Sequence, residues 1–150
     1  MALVKIPARD IIVEEETAVA STWAELEAMI SATPDPTANE AAVDTTDFDS
    51  AGLYSQMILQ RGSSFSVEAH TKKDDTTGAQ APGQLRVQTI AAGVGTASIG
   101  RVRFRHPMDT SWVIWDCTMS GGIGGGGTND LTGWACTFVR NGAETTAAVV

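Results

Sequence analysis

The stretch SFSVEAHTKK (64–73) alternates strictly, with Phe65, Val67 and Ala69 on one side of an extended chain and Ser66, Glu68 and His70 on the other. That period of two predicts a half-buried strand. SIGRVRFRH (98–106) repeats it, setting Ile99, Arg101, Arg103 and Arg105 against Val102 and Phe104. TSWVIWDCTMS (110–120) is apolar on both sides and holds Trp112 and Trp115, as a strand covered on both faces would be. LTGWACTFVRNG (131–142) brings Trp134, Cys136 and Phe138 to one face. Near the start, Leu3, Ile6, Ile11 and Val13 alternate loosely and predict a first strand over 3–13, weakened by Pro7.

Two segments have a helical period instead. In STWAELEAMIS (21–31), Trp23, Leu26 and Ile30 fall at i, i+3 and i+7, and Thr22 with Glu25 matches a capping box. A shorter helix over 84–92 would gather Leu85, Gln88 and Ala92 before Gly93 and Gly95 stop it. ATPDPTANEA (32–41), DDTTGAQAPGQ (74–84) and GGIGGGGTND (121–130) read as loops. The pattern predicts a mainly β domain of sandwich type with one or two short flanking helices.

Composition narrows what such a domain does. The chain has 150 residues, enough for one domain over 1–150 that buries roughly 68–70% of its extended surface. Ten Lys+Arg against 18 Asp+Glu give a net charge of −8, which argues against a protein that grips nucleic acid. The charge is uneven: eleven acids precede residue 50, against only Lys5 and Arg9. No apolar run reaches the length of a membrane span, and Lys5, Arg9 and Asp10 break any signal-peptide core. Synthesis and folding in the cytosol are expected, with Cys117 and Cys136 reduced.

Candidate chemistry is sparse. The glycine run at 121–127 lacks a following GK[ST] and precedes a strand, so it reads as a connection and not a phosphate loop. His70 and His106 are the only available bases and belong to no nucleophile signature. Asp44, Asp47 and Asp49 suit solvated loop acids better than a hard-cation site. No catalytic residue, cofactor or metal is assigned. The unusual constellation is Arg101, Arg103 and Arg105, three guanidinium groups about 6–7 Å apart on one strand face. Their expected partners are carboxylates, either within the chain (Glu68 or Asp116) or on another subunit's acidic surface.

The order of segments as a whole resembles the tail tube (major tail) proteins of long-tailed, non-contractile bacteriophages. VDTTDFDSAG (43–52) is similar to that family's acidic loop after a strand, and ILQRGSSFSVEA (58–69) to the strand that follows. PGQLRVQTIAAG (82–93) resembles the helix-bearing stretch; SWVIWDCTMSGG (111–122) and LTGWACTFVRNG (131–142) resemble the closing strands. The similarity runs from about residue 10 to 145 and lies in order and size more than in any fixed motif.

The resemblance implies a β-sandwich or barrel-like tail tube fold with a flanking helix, and structural work without enzymatic activity. Such proteins form hexameric rings that stack into the tube through which the genome is ejected. Residues 1–16 would be an N-terminal arm and 44–62 a long loop reaching the next ring. Arg101, Arg103, Arg105, Asp44, Asp47 and Asp49 become candidate subunit-interface residues. The implied partners are further copies of the chain, a tape measure protein, and tail terminator and tail tip proteins. DNA would pass through the lumen without specific binding, and the location would be the virion tail. Two other readings stay open: another virion ring, at the head–tail joint or tail tip, and a carbohydrate-binding β-sandwich using Trp23 or Trp134. A hydrolase is the weakest, for want of a base.

Overall fold

The computed structural model describes residues Met1–Val150. Ten strands and one α-helix follow in the order β1 (Ile12–Glu16), β2 (Trp23–Glu25), β3 (Met29–Asp35), β4 (Ala41–Asp44), β5 (Gln56–Gln60), β6 (Ser64–His70), α1 (Pro82–Ala91), β7 (Ile99–Arg105), β8 (Ser111–Ile123), β9 (Gly133–Arg140) and β10 (Thr145–Ala148). The principal sheet is antiparallel, ordered β2-β1-β7-β8-β9-β6-β3, with β10 alongside the first part of β8. β4 and β5 pair only with each other.

The sheet curls until β6 faces β7. Phe65 and Phe104 stack at 4.9 Å between ring centroids, and Trp115 meets Phe104 edge-on at 5.2 Å. Around them the inward positions of each strand close the core: Val67 and Ala69, Val102, Cys117 and Met119, then Trp134, Cys136 and Phe138. On β6, β7 and β9 these are the residues that the period-two pattern selects; β8 adds Cys117 and Met119 from a run that is apolar on both sides. α1 packs across β8 and contributes Val87 and Ile90. Truncating a fully buried aromatic such as Phe138 to Ala would cost about 3–5 kcal/mol.

Cys117 and Cys136 are free and buried. In the β8–β9 register Cys136 lies opposite Gly121, four residues along β8 from Cys117. At about 3.4 Å per residue that offset exceeds the roughly 7 Å limit for a disulfide. Burial pushes the Cys117 thiol up to about 12 and raises that of Cys136 as well.

Several expectations are corrected. Residues 21–31 form no helix: Trp23–Glu25 is β2, and β3 begins at Met29. Ser21 and Ala28 adopt left-handed φ angles of 61° and 60°, which turn the chain into and out of this segment. Leu26 reaches the core from the connection, its N–H donating to the Val13 carbonyl (2.8 Å). Three apolar residues at helical spacing thus serve two edge strands, Trp23 on β2 and Ile30 on β3, and the corner between them, Leu26. The loop expected over 32–41 is strand through Asp35, and Pro34 is tolerated because β3 is an edge strand.

The first strand starts only at Ile12, after a 3-10 turn at Ala8–Asp10, so the arm free of the sheet is 1–11 and not 1–16. The long loop 44–62 is largely a hairpin, with Ala42 opposite Ile58 and Asp44 opposite Gln56. The glycine connection begins later than expected, because Gly121 and Gly122 belong to β8. At Gly121 (φ +134°) a Cβ would collide with the Ala135 carbonyl oxygen, so the two backbones need glycine to approach. The helix expected over 84–92 is present as α1, starting at Pro82.

Candidate functional site

The strand register gives the sheet two poles. Ile12 lies opposite Arg105, Ser64 opposite both Val139 and Asp35, and the rings of Phe65 and Phe104 touch. One pole therefore holds the start of β1, the ends of β3, β7 and β9, and the start of β6. From it emerge both the N-terminal arm and the β4–β5 hairpin. The turns at 17–22, 71–81 and 124–132 lie at the other pole.

Arm and hairpin carry large apolar side chains that nothing covers: Leu3, Val4 and Ile6 on the arm; Phe48, Leu53, Tyr54, Met57 and Leu59 on the hairpin. Every residue of β4 is exposed. Phe48, at the tip, has the solvent exposure of an unfolded chain. Apolar surface left out at this density marks a place where another molecule sits.

The tip is nonetheless ordered by its own polar groups. The Asp47 carboxylate accepts from the Asp49 N–H (3.0 Å) and the Ser50 hydroxyl (3.1 Å), and Ser50 Oγ accepts from the Asp47 N–H (3.1 Å). Asp44 accepts from the Thr46 N–H (2.8 Å), and bonding to Thr46 holds its carboxyl below the ordinary aspartate value. Ala51 and Gly52, at φ 54° and 80°, complete the turn. Asp44 and Asp47 are thus committed to the tip's own geometry, while the Asp49 carboxylate accepts no hydrogen bond. No group of three acids, histidines or cysteines converges as a metal site would require.

The three arginines of β7 share one outward face, as their spacing requires. Arg103 lies between two indoles, 4.4 Å from the Trp23 centroid and 4.1 Å from that of Trp112, and donates from Nε (2.9 Å) and Nη2 (2.6 Å) to Glu14. Arg101 bridges Glu16 (3.0 Å) and Asp116 (3.3 Å). Of the intrachain partners expected for the row, Asp116 is used and Glu68 is not; Glu14 and Glu16 went unanticipated. They stand on β1, which the register lays directly beside β7. A stretch of consecutive glutamates at 14–16 was the available signal. Arg105 differs: it stacks over Trp112 (4.8 Å) and reaches only the His106 and Pro107 carbonyls, with no carboxylate partner. The structure does not bring Asp44, Asp47 or Asp49 to any of the three arginines within one chain.

A sugar-stacking platform is not available. Trp134 is buried, its indole N–H donating to Gln88 (3.0 Å), and Trp23 is occupied by Arg103. Neither imidazole is hydrogen-bonded to a serine, threonine or cysteine. The His106 contacts are through its main chain: its N–H donates to the Asp109 carboxylate (2.9 Å), and its carbonyl accepts from the Asp109 N–H (2.9 Å).

No protein-family model matches the sequence, and no curated protein does. Solved structures do match. A chain from the tail of an empty gene transfer agent particle, with C6 symmetry, superposes with a TM-score of 0.73 at 15% identity, covering 96% of this chain and 100% of that one. A chain from the virion of a native gene transfer agent particle gives 0.69 at 17% identity, with the same coverage. What is shared is the fold. It extends over nearly the whole of both chains, and it is the mainly β architecture with one helix that the residue pattern predicts.

Proposed function

We propose that this chain is a structural protein of a phage-like tail, forming hexameric rings that stack into the tube through which a genome is ejected. The observation that carries the reading is the pair of uncovered apolar projections, arm and hairpin, leaving one pole of a sheet whose fold matches a chain in a sixfold tail. A surface at one pole that finds its complement at the other is heterologous, and heterologous contacts that do not close into a ring repeat along an axis. The open edges of β2 and β3 suit lateral pairing of subunits within a ring, which removes them from solvent.

Among the candidate interface residues, Arg105 has no carboxylate partner in the chain and the Asp49 carboxylate accepts no hydrogen bond. They are proposed to pair with groups on neighbouring copies, while Arg101 and Arg103 chiefly hold β1 to β7. Tape measure, terminator and tip proteins are the further partners of such a tube, and the virion its location. The net charge of −8 suits a conduit that DNA crosses without adhering.

Sedimentation velocity tests this reading. Wild-type protein is expected to sediment as rings and larger species, and the double variant Phe48→Asp, Leu59→Asp as smaller species with an unchanged circular dichroism spectrum. A variant that assembles like wild type would remove the hairpin from the interface.

A further inference from the structure

Glu15 is a carboxylic acid that the fold encloses completely. Its neighbours Glu14 and Glu16 turn outward to Arg103 and Arg101, so the alternation of β1 directs Glu15 inward with Val13. Neither of its oxygens has a hydrogen-bond partner. The first turn of α1 closes over it: at Gly83 a Cβ would strike both Glu15 Oε1 and the Glu25 carbonyl oxygen, so only glycine allows the helix this close.

The groups around it offset a charge only in part. On α1, Arg86 attracts the ionised form, as the Glu15 main-chain N–H does, but its Nε is directed to the Glu16 carbonyl (3.2 Å) and it makes no ion pair with Glu15. On β1, Glu14 adds like charge, and on β9 Cys136 offers a thiol that is itself raised. β2 presents a backbone carbonyl at Glu25, whose side chain is exposed, and β7 sets apolar Val102 opposite. A carboxylate here would be dry and without an ion-pair partner, a costly state for it.

We propose that Glu15 is a proton-dependent latch for α1: as the neutral acid it lets the helix close on β1, and loss of its proton lifts the helix's first turn. The later turns of the helix are anchored in the core by Val87 and Ile90, so its first turn is the part able to give way. β1 is held by ladders to β2 and β7, whereas α1 is tied down largely by side chains, Gln84 to His70 O (2.8 Å) and from Lys72 N–H (3.1 Å), and Gln88 from Trp134. Burial, the largest influence, holds the Glu15 carboxyl up to about 9. The latch is therefore fully closed below the ordinary glutamate value of 4.5 and is released as pH rises through about 9.

The test is nuclear magnetic resonance on the full chain, following glutamate carboxyl carbons, the Trp134 indole N–H and backbone amide exchange relative to intrinsic rates. One glutamate is expected to titrate near pH 9, and the indole signal to shift with it. Amides of α1 should lose protection by at least about tenfold over the same range while those of β8 and β9 keep theirs. Glu15→Gln should abolish both changes. Every glutamate titrating near 4.5, helix and sheet losing protection together, or the Gln variant opening like wild type would each overturn the latch. Should Glu15→Gln not fold, the wild-type titration and the helix's exchange decide the matter alone.

Discussion

At the residue scale, charge is settled by where the alternation of a strand points. β1 sends Glu14 and Glu16 to arginines and Glu15 into the core, although the three are chemically identical in the sequence. Enclosure makes Glu15 a liability for stability above pH 4.5: the folded chain retains a proton that the unfolded chain releases, so stability falls with rising pH up to about 9. Urea unfolding of Glu15→Gln should show a gain on the order of 4 kcal/mol at about pH 8, shrinking toward zero near pH 4.5. A gain independent of pH would mean that shape, not ionisation, is responsible. The arginines divide by the same logic. Arg103→Ala, which loses two indole contacts and a two-pronged bond to Glu14, should cost about 1–3 kcal/mol. Arg105→Glu should leave the melting temperature within about 2–4 °C and reduce assembly instead. Equal melting losses for the two would show that Arg105 is structural.

At the scale of elements, legibility followed burial. β6, β7 and β9 could be read because each has a buried face that imposes a period of two, and Phe65, Val67, Trp134, Cys136 and Phe138 are where that period puts them; β8 is legible as a run apolar on both sides. β4 has every residue exposed, so nothing in its sequence distinguishes it from a loop. The segment 21–31 misled because Trp23 faces outward under Arg103 while Leu26 faces inward from a corner. A helical spacing arose from two unrelated environments. The acid-rich hairpin and the arginine row were visible as candidates, but β1 as the arginines' partner was not, since strand adjacency across some 90 residues leaves no local mark. Gly121 was legible only as part of a flexible run. Its role is a close backbone crossing, so Gly121→Val should destabilise by about 2–3 kcal/mol in thermal or urea unfolding, whereas Gly125→Ala, with open space around it, should be near neutral. Equal tolerance at both sites would contradict the close approach at β8–β9.

At the scale of the whole molecule, the sheet is self-sufficient and its two projections are not. The core closes on apolar side chains with both cysteines free, while the arm and the hairpin hold apolar groups in water at one pole. Exposed apolar side chains are densest on these two projections, and Val19 and Leu131 are exposed at the opposite pole, an arrangement that suits an axial stack better than a closed dimer. Negative-stain electron microscopy of the purified full-length chain, alone and seeded with tail-tip components, tests the central claim most directly. The account predicts hollow tubes of uniform width whose end-on views show sixfold rings. A population of single subunits at every concentration, seeded or not, would contradict it.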